Sequence, residues 1–422
     1  MKEFGFKKLM IFIVLSAAVA LAYQLPYIRF TFYDEVLEAW RITDTQMGFI
    51  ASAMGLTCTV CYPIGGLIAN RFTTRSLMLI TLAAFTVLCA LNAFVTNFYG
   101  LVIIHCAYGF FGIATLWSAY LSGIRNLGSE HIQAKLFGFS EATRGLIQTA
   151  MGFVFLAIFG AVSTPIFGIR YSLLCGSVVF ALFFMLGFIF LPKGVKQEKS
   201  AVKPEKKYTY LDVIKNKGTW LVILLIMSAF TSWLLGNNYM TTYTTRVLGI
   251  SNALASTLGI IRTYIIVALA GFLGGWVLDK FTYKGKGFIV LFAILAALIA
   301  GVVFSHKIVG LCVGITLVFA FFVNVMKSTY WSTMNSAGIP ASMTPLATGF
   351  ISLIVFLPET ICPLFCGPWL DAAAAAGNVA VGFNKIFLLM FVFALIGIVA
   401  SFFLIKQAKA LEKEDKMDIE EA

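Results

Sequence analysis

The sequence predicts an all-α membrane protein with twelve transmembrane helices in two pseudo-symmetric six-helix bundles. Three observations support this fold class: the composition is strongly apolar, apolar segments of membrane-spanning length recur about twelve times, and one loop sequence occurs in both halves of the chain. Of the 422 residues, 60% are hydrophobic and 12% are charged, and the mean hydropathy is +0.92. Such a composition cannot cover a water-soluble surface, so lipid is the expected solvent.

Apolar segments of about 20 residues, the length that crosses a bilayer, define the predicted spans. The first apolar run follows Lys7 and Lys8 and continues past Pro26 with no small-residue cleavage site, so we expect a retained span rather than a signal peptide. The eight cysteines lie in apolar runs and are expected to be small hydrophobes, without disulfides or a metal site. The predicted spans are residues 8–33, 45–70, 76–96, 98–125, 136–162, 168–191, 218–246, 252–279, 287–305, 309–337, 342–367 and 381–405.

Basic and acidic residues separate to opposite ends of these spans. Lysines and arginines cluster at the N-terminus, in the central hydrophilic stretch and in the C-terminal tail, whereas Asp34, Glu35, Asp44 and Asp371 lie in the alternate loops. By the positive-inside rule, both termini are expected to be cytoplasmic, in a bacterial cytoplasmic (inner) membrane. Because most of the positive charge lies on one side, with little more than Arg41, Arg246 and Lys307 on the other, the net charge of +12 indicates membrane topology and no nucleic-acid partner.

A hydrophilic stretch from Pro192 to Lys217 divides the chain into six spans before it and six after it. It contains two prolines, many lysines and no apolar periodicity, which is typical of a linker. The acidic tail is expected to fray. The predicted units are an N-terminal bundle (1–191), a cytoplasmic linker (192–217), a C-terminal bundle (218–405) and a cytoplasmic tail (406–422).

A repeated loop sequence relates the two halves. The segment GGLIANRFTTR (Gly65–Arg75) follows the second span, and GGWVLDKFTYK (Gly274–Lys284) follows the eighth, and the two align without a gap. Two parallel six-helix halves joined by a basic linker are expected to hold a solute site between them near the bilayer midplane.

The paired loop segments resemble the G-x-L-a-D-R-x-G-R-R motif of the major facilitator superfamily, and the layout of spans extends this resemblance over essentially the whole chain. In that family the charged residues of the motif make cytoplasmic contacts that hold the outward-open state. Asn70 stands where the family has an acid, so the resemblance implies a weaker contact in the first half. The motif residues that the resemblance implies in the conformational change are Gly66, Asn70, Arg71, Arg75, Gly275, Asp279, Lys280 and Lys284.

A narrower resemblance concerns the first span. Tyr23–Arg29, followed by Asp44–Gly48, is similar to the organophosphate:phosphate antiporter and sugar-phosphate permease branch, in which a first-helix arginine binds the phosphate of the substrate. Arg29 matches that arginine. The partner arginine of the seventh helix has no counterpart, because Gly236, Asn237 and Asn238 occupy that region.

Ionisable side chains inside the spans are the candidate site residues, since each costs about 2.5–3.5 kcal/mol on insertion scales. Cations outnumber carboxylates, which predicts an anionic solute as the missing counter-ion. Arg29 and Arg262, one from each half, are predicted to bind its anionic group. The charged candidates are Arg29, Arg144, Arg262 and Lys327, with Glu141 and Glu359 as proton-coupling candidates. The polar and aromatic candidates near them are Gln24, Tyr27, Trp117, Asn237, Asn238 and Tyr330.

Structural roles are the alternative for each charge. Arg29 could extend to the nearby membrane surface, and Glu141 and Arg144, at i and i+3, could neutralise each other. Lys327 and Glu359 lie in neighbouring spans and could form an ion pair.

The predicted function is secondary active transport of a small organic anion, such as a sugar phosphate, sugar acid, sulfonate or carboxylate, by alternating access. The chain has no nucleotide-binding P-loop, which argues against a primary pump, and neither enzymatic activity nor a cofactor is expected. The expected partners are the solute, the bilayer and a coupling proton or counter-transported anion, with the protein a monomer. A proton-coupled drug or metabolite exporter and a transporter-like solute sensor are the alternatives.

Overall fold

The computed structural model describes residues 5–69, 71–128, 130–193, 208–340 and 342–420. Every regular element within these ranges is helical. Eleven helices of the described ranges are long and apolar enough to cross a membrane. The predicted all-α membrane fold is confirmed.

The helices before the central hydrophilic stretch form the first half of the molecule. The fourth predicted span contains a π-helical turn, Phe111–Trp117, between two α-helical pieces. Such π-turns are rare and frequently occur at functional sites. The α-helices are α1 (Phe6–Ala22), α2 (Tyr33–Trp40), α3 (Asp44–Ala69), α4 (Thr74–Asn92), α5 (Phe98–Phe110), α6 (Ser118–Arg125), α7 (Glu130–Ala161) and α8 (Pro165–Phe190).

The first span is interrupted, whereas the sequence predicted one continuous segment over residues 8–33. The α1 helix has 17 residues and ends at Ala22, and a 3₁₀ turn at Ile28–Phe30 leads into α2. Pro26 explains the break, because its ring disfavours helical backbone at the preceding residue and it has no N–H to donate. Arg29 therefore lies in a turn and not on a regular helix.

The second half begins with a short helix near the end of the hydrophilic stretch. A capping box between Thr209 and Asp212 starts α9, and Val213 is fully buried. Six residues are too few to show a helical period in the sequence. The α-helices are α9 (Tyr210–Lys215), α10 (Lys217–Arg246), α11 (Asn252–Ile260), α12 (Ile266–Asp279), α13 (Lys284–Phe304), α14 (Val309–Thr329), α15 (Thr333–Ser336), α16 (Thr344–Val355), α17 (Leu357–Ala375) and α18 (Val379–Glu420).

The last helix is longer than a membrane span. Fraying was predicted for the acidic tail, but α18 continues as helix through Glu420. Its extension contacts the loop before α13, where the hydroxyl of Tyr283 donates to Glu412 over 2.8 Å.

A second π-helical turn, Ile261–Ile265, joins α11 to α12 and carries Arg262.

The two halves meet mainly along α3 and α17, which pack closely over much of their length. A Cβ added at Gly48 would lie 2.3 Å from the carbonyl oxygen of Pro363, and one at Gly55 would lie 3.0 Å from the backbone of Glu359. Glycine is therefore required where the two backbones approach.

The acidic end of the bundle is the end that carries Asp34, Asp44 and Asp371. The basic end is the opposite end, which carries Arg75, Lys280 and Lys284.

Candidate functional site

An ion-pair cluster joins the halves at the acidic end. Arg246, the last residue of α10, contacts Asp34 and Asp44 of the first half, each over 2.7 Å. The hydroxyl of Thr242 donates to Asp34 over 2.7 Å, and the hydroxyl of Thr245 also donates to it. Because these contacts are charge-assisted and partly buried, they hold this end closed.

The N-terminus of α3 is capped by a side chain from the other half. The carboxylate of Asp371, near the end of α17, accepts hydrogen bonds from the backbone N–H groups of Asp44 and Thr45 over 3.1 and 2.8 Å. The first N–H groups of a helix lack intrahelical acceptors, and an acid there also suits the helix dipole. Opening this end would break both hydrogen bonds and expose the two N–H groups to water.

Polar contacts continue across the interface to the middle of the molecule. The hydroxyl of Tyr27 donates to Glu359 over 2.7 Å, and Nε of Arg29 donates to the side-chain oxygen of Asn238 over 2.9 Å. A second donor of Arg29 reaches the carbonyl oxygen of Pro26, left without a helical partner by the break in the first span. Arg29 is 2% exposed, so it does not extend to the surface.

Arg262 is also buried, but its contacts lie within the second half. Its guanidinium donates to the hydroxyl of Thr241 over 2.6 Å, and that hydroxyl donates in turn to the carbonyl oxygen of Phe30 in the first half. Asn237 and Arg262 line a void of about 10 Å³, room for about one water molecule. Within the described ranges, neither Arg29 nor Arg262 has a carboxylate partner.

A larger cavity opens between the halves toward the basic end. Its volume is about 370 Å³, at the lower end of the usual range for small-molecule sites. Its walls come from the first half, from the turn after α14, from α16 and from α9. The lining residues are Tyr62, Pro63, Trp117, Tyr210, Trp331, Thr348, Gly349, Ser352, Leu353 and Phe356.

Two cations from opposite halves lie near this cavity. Arg144 of α7 forms an ion pair with Glu141, whose side chain is 61% exposed. Lys327 of α14 has its ammonium 3.2 Å from the ring centroid of Trp233, and it makes no hydrogen bond or ion pair with any described residue.

Aromatic rings connect the two cations to the cavity wall. Tyr23 and Tyr120 each lie 6.0 Å from the Arg144 guanidinium carbon, and both contact the ring of Trp117. Lys327 precedes Tyr330 and Trp331 by about one helical turn. A cation on an aromatic face retains some favourable interaction without being neutralised.

The structure separates the predicted site residues into two groups. Arg29, Arg262, Asn237 and Asn238 lie in the closed part of the interface, whereas the groups at Arg144 and Lys327 lie beside the open cavity. Gln24 donates to the carbonyl oxygen of Gln148 over 2.7 Å, which ties the broken first span to α7. The Lys327–Glu359 ion pair, which was the structural alternative for these two residues, is not formed, and Glu359 accepts a hydrogen bond from Tyr27 instead. The binding roles of all these residues stay predictions.

Several residues of the site were not among the candidates from sequence. The ring of Trp233 makes the cation–π contact with Lys327, and its indole N–H donates to Asn324 over 3.1 Å. Tyr62 lines the cavity and stacks on Phe356 with ring centroids 5.6 Å apart. A chain with 41 phenylalanines, 15 tyrosines and 7 tryptophans gives no local signal that distinguishes these rings from core or lipid-facing ones.

The repeated loop motif makes no hydrogen bond or ion pair between the halves in the described residues. Arg75 donates to the carbonyl oxygens of Leu191 and Phe188 over 2.6 Å, so it caps α8 within its own half. Lys280 lies over the ring of Trp276, while Asp279 is exposed. Gly66, Arg71, Gly275 and Lys284 lie at the basic end, and Asn70 falls outside the described residues. The basic end is therefore not closed by this motif in the present conformation.

Two helical halves, closed at one end and separated by a cavity at the other, are the architecture of a membrane transporter with a site between its halves. Residues 9–363 match the family described as Major Facilitator Superfamily. The chain belongs to the Major Facilitator Superfamily, and its family and fold are those of secondary transporters.

Similar proteins cover nearly the whole chain. The inner membrane protein YihN of Escherichia coli (strain K12) is 24% identical over an alignment 423 residues long, which covers 97% of this chain and 98% of that protein. The crystal structure of a bacterial homologue of the human lysosomal transporter Spinster, inward-facing and unoccupied, matches with a TM-score of 0.74 and 14% identity over 97% of this chain and 98% of that one. The nucleoside transporter NupG matches with a TM-score of 0.73 and 14% identity over 95% and 99%.

Proposed function

We propose that this protein moves a small organic anion across a bacterial inner membrane by alternating access. The observation that carries the proposal is Lys327, a cation without an anionic partner in the described ranges, beside a cavity between the halves. Arg144, on the opposite half, supplies a second cation, and its one ion-pair partner among the described residues, Glu141, is largely exposed. An anionic group held by both would reduce the cost of burying their charge.

The orientation follows from the charges at the two ends. With the basic end in the cytoplasm, as the positive-inside rule requires, the cavity opens inward and the Arg246 cluster closes the outside. Solute binding between Arg144 and Lys327 would draw the halves together at the basic end. The loaded carrier would then cross between its two states more readily than the empty, positively charged one.

A narrower proposal places this protein in the organophosphate:phosphate antiporter branch of the superfamily. Arg29 supports it, but its guanidinium is bonded to Asn238 and Pro26 in this conformation. The broader class of small organic anions rests on the cation pair and does not depend on that branch.

The test is a thermal-shift screen of purified protein against organic phosphates, sugar acids, sulfonates and carboxylates, followed by counterflow of any stabilising solute in sealed vesicles. Binding to the folded state raises its apparent stability. Lys327→Gln is expected to abolish both the shift and the counterflow, whereas Lys307→Gln, at an exposed position, should change neither.

Stabilisation by neutral or cationic solutes alone would overturn the anion proposal. An anion that stabilises the protein but gives no counterflow in the same vesicles would indicate a solute sensor.

A further inference from the structure

Three tyrosine hydroxyls near the cavity have no hydrogen-bond partner among the described residues: those of Tyr23, Tyr62 and Tyr330. Each is still accessible, since none is among the fully enclosed polar atoms that lack a partner. They come from three different elements, namely the break in the first span, α3 and the turn after α14. Such hydroxyls are hydrogen-bonded to water in the empty cavity, and a ligand that displaces this water loses affinity unless it replaces those hydrogen bonds.

All three tyrosines lie in or beside the cavity wall. Tyr62 lines the cavity directly. The ring of Tyr23 contacts the ring of Trp117, and the ring of Tyr330 contacts the ring of Trp331. Both tryptophans line the cavity. Tyrosines from both halves therefore meet at the cavity.

Flat aromatic faces complete the walls. Trp117 of the first half and Trp331 and Phe356 of the second line the cavity. Aromatic faces bury apolar surface, while a few well-placed polar groups fix the orientation of a ligand. The C–H faces of a sugar ring match such walls, and its hydroxyls match the phenols. A wholly lipophilic anion would leave the three tyrosines unpaired.

We infer that the solute is a sugar-sized anion with several hydroxyl groups. Its acidic group is held by Lys327 and Arg144, its ring lies between the tryptophan faces, and its hydroxyls are bonded to Tyr23, Tyr62 and Tyr330. This inference rests on the proposed anion transport and narrows it. A site built to bind hydroxyl groups rejects an analogue without them strongly, because its own polar groups are then left unpaired.

Three probes with rings of one size separate hydroxyl recognition from charge recognition. Glucuronate has a carboxylate and hydroxyls, cyclohexanecarboxylate has the carboxylate alone, and glucose has the hydroxyls alone. Measured by titration calorimetry on the purified full-length protein, glucuronate should bind at least about tenfold more tightly than either of the others, the scale of one hydrogen bond.

Equal binding of glucuronate and cyclohexanecarboxylate would overturn the inference and leave anion transport standing. Equal binding of glucuronate and glucose would overturn the anion proposal itself. If neither glucuronate nor the open-chain gluconate binds, while a non-hydroxylated carboxylate, phosphate or sulfonate does, the hydroxylated class is also wrong.

A tyrosine variant tests the site directly. Tyr62→Phe removes one hydroxyl, keeps the ring that stacks on Phe356, and should weaken glucuronate binding about tenfold with no change for cyclohexanecarboxylate. Tyr171→Phe, at an exposed position in α8, is the matched control and should leave both affinities unchanged. An equal loss for both ligands in Tyr62→Phe would show that the hydroxyl only supports the fold.

Discussion

Individual charged residues differ in what surrounds them, and this decides which of them are available to a solute. Arg29 and Arg262 have neutral hydrogen-bond partners in the closed region, whereas Lys327 rests on an aromatic ring beside the cavity. In the opposite conformation, the closed region would open and the first pair would face the solute from outside. The two pairs of cations are thus suited to serve the two states of one transport cycle.

Conservative replacement of the closed-region arginines tests the first pair. Arg29→Lys or Arg262→Lys keeps the charge but loses the planar donor geometry, so anion affinity should fall by roughly 1–3 kcal/mol, the scale of a hydrogen bond to a charged group. Binding should be measured by calorimetry on correctly folded protein. Arg170→Lys is the control, because Arg170 contacts the carbonyl oxygen of Ala93 within the first half. Wild-type affinity in both variants would show that Arg29 and Arg262 are structural.

Glu359 is the carboxylate best placed for proton coupling, since it links the halves through Tyr27. Glu359→Gln keeps a hydrogen-bond acceptor for Tyr27 but cannot exchange a proton. We therefore expect solute exchange to continue while proton-driven accumulation in vesicles is lost. Glu141→Gln serves as the comparison, because Glu141 is exposed and paired with Arg144. Proton coupling by Glu359 would be excluded if the Glu359→Gln variant still accumulated solute. It would also be excluded if collapse of the proton gradient left accumulation by the wild type unchanged.

At the scale of elements, the interrupted first span and the capped end of α3 decide how the halves close. Pro26 interrupts the helix and leaves its own carbonyl oxygen free to accept a hydrogen bond from Arg29, so the break creates part of the interface. Asp371 of the other half accepts hydrogen bonds from the first two backbone N–H groups of α3. The stability of α3 is therefore coupled to closure of the acidic end. An N-cap of this kind contributes about 0.5–2 kcal/mol.

Removal of the acidic-end contacts should open this end. Arg246→Gln breaks the ion pairs to Asp34 and Asp44, and we expect faster hydrogen–deuterium exchange at the N–H groups of Asp44 and Thr45. The loss should be roughly 1–3 kcal/mol of closed-state stability. Asp371→Ala should act similarly, and Asp371→Asn less strongly, because an amide oxygen can still accept. Lys307→Gln, an exposed cation, is the control. Unchanged exchange in Arg246→Gln would show that the apolar α3–α17 contact alone holds the acidic end.

At the scale of the whole molecule, the charge asymmetry fixes a topology that a reporter can test. A reporter fused after Lys206 should be cytoplasmic, and one inserted near Ala374 should be external. Finding both on one side of the membrane would contradict the twelve-span arrangement. The reverse placement of the two would instead make the described cavity outward-open, and the Arg246 cluster would become a cytoplasmic gate.

The sequence by itself determined the solvent, the helical class, the approximate spans and the two-fold repeat, because hydropathy, segment length and loop composition are local properties of the chain. It also identified Arg29 and Arg262 as charges inside the spans, but it assigned Glu35 and Asp44 to loops, although both are buried in the structure. Only the tertiary structure decided the partner of each charge. Arg29 and Asn238 are 209 residues apart in sequence, and Tyr27 and Glu359 are 332 apart. Such contacts depend on how each helix is rotated and on which end is closed, and depth along a helix fixes neither.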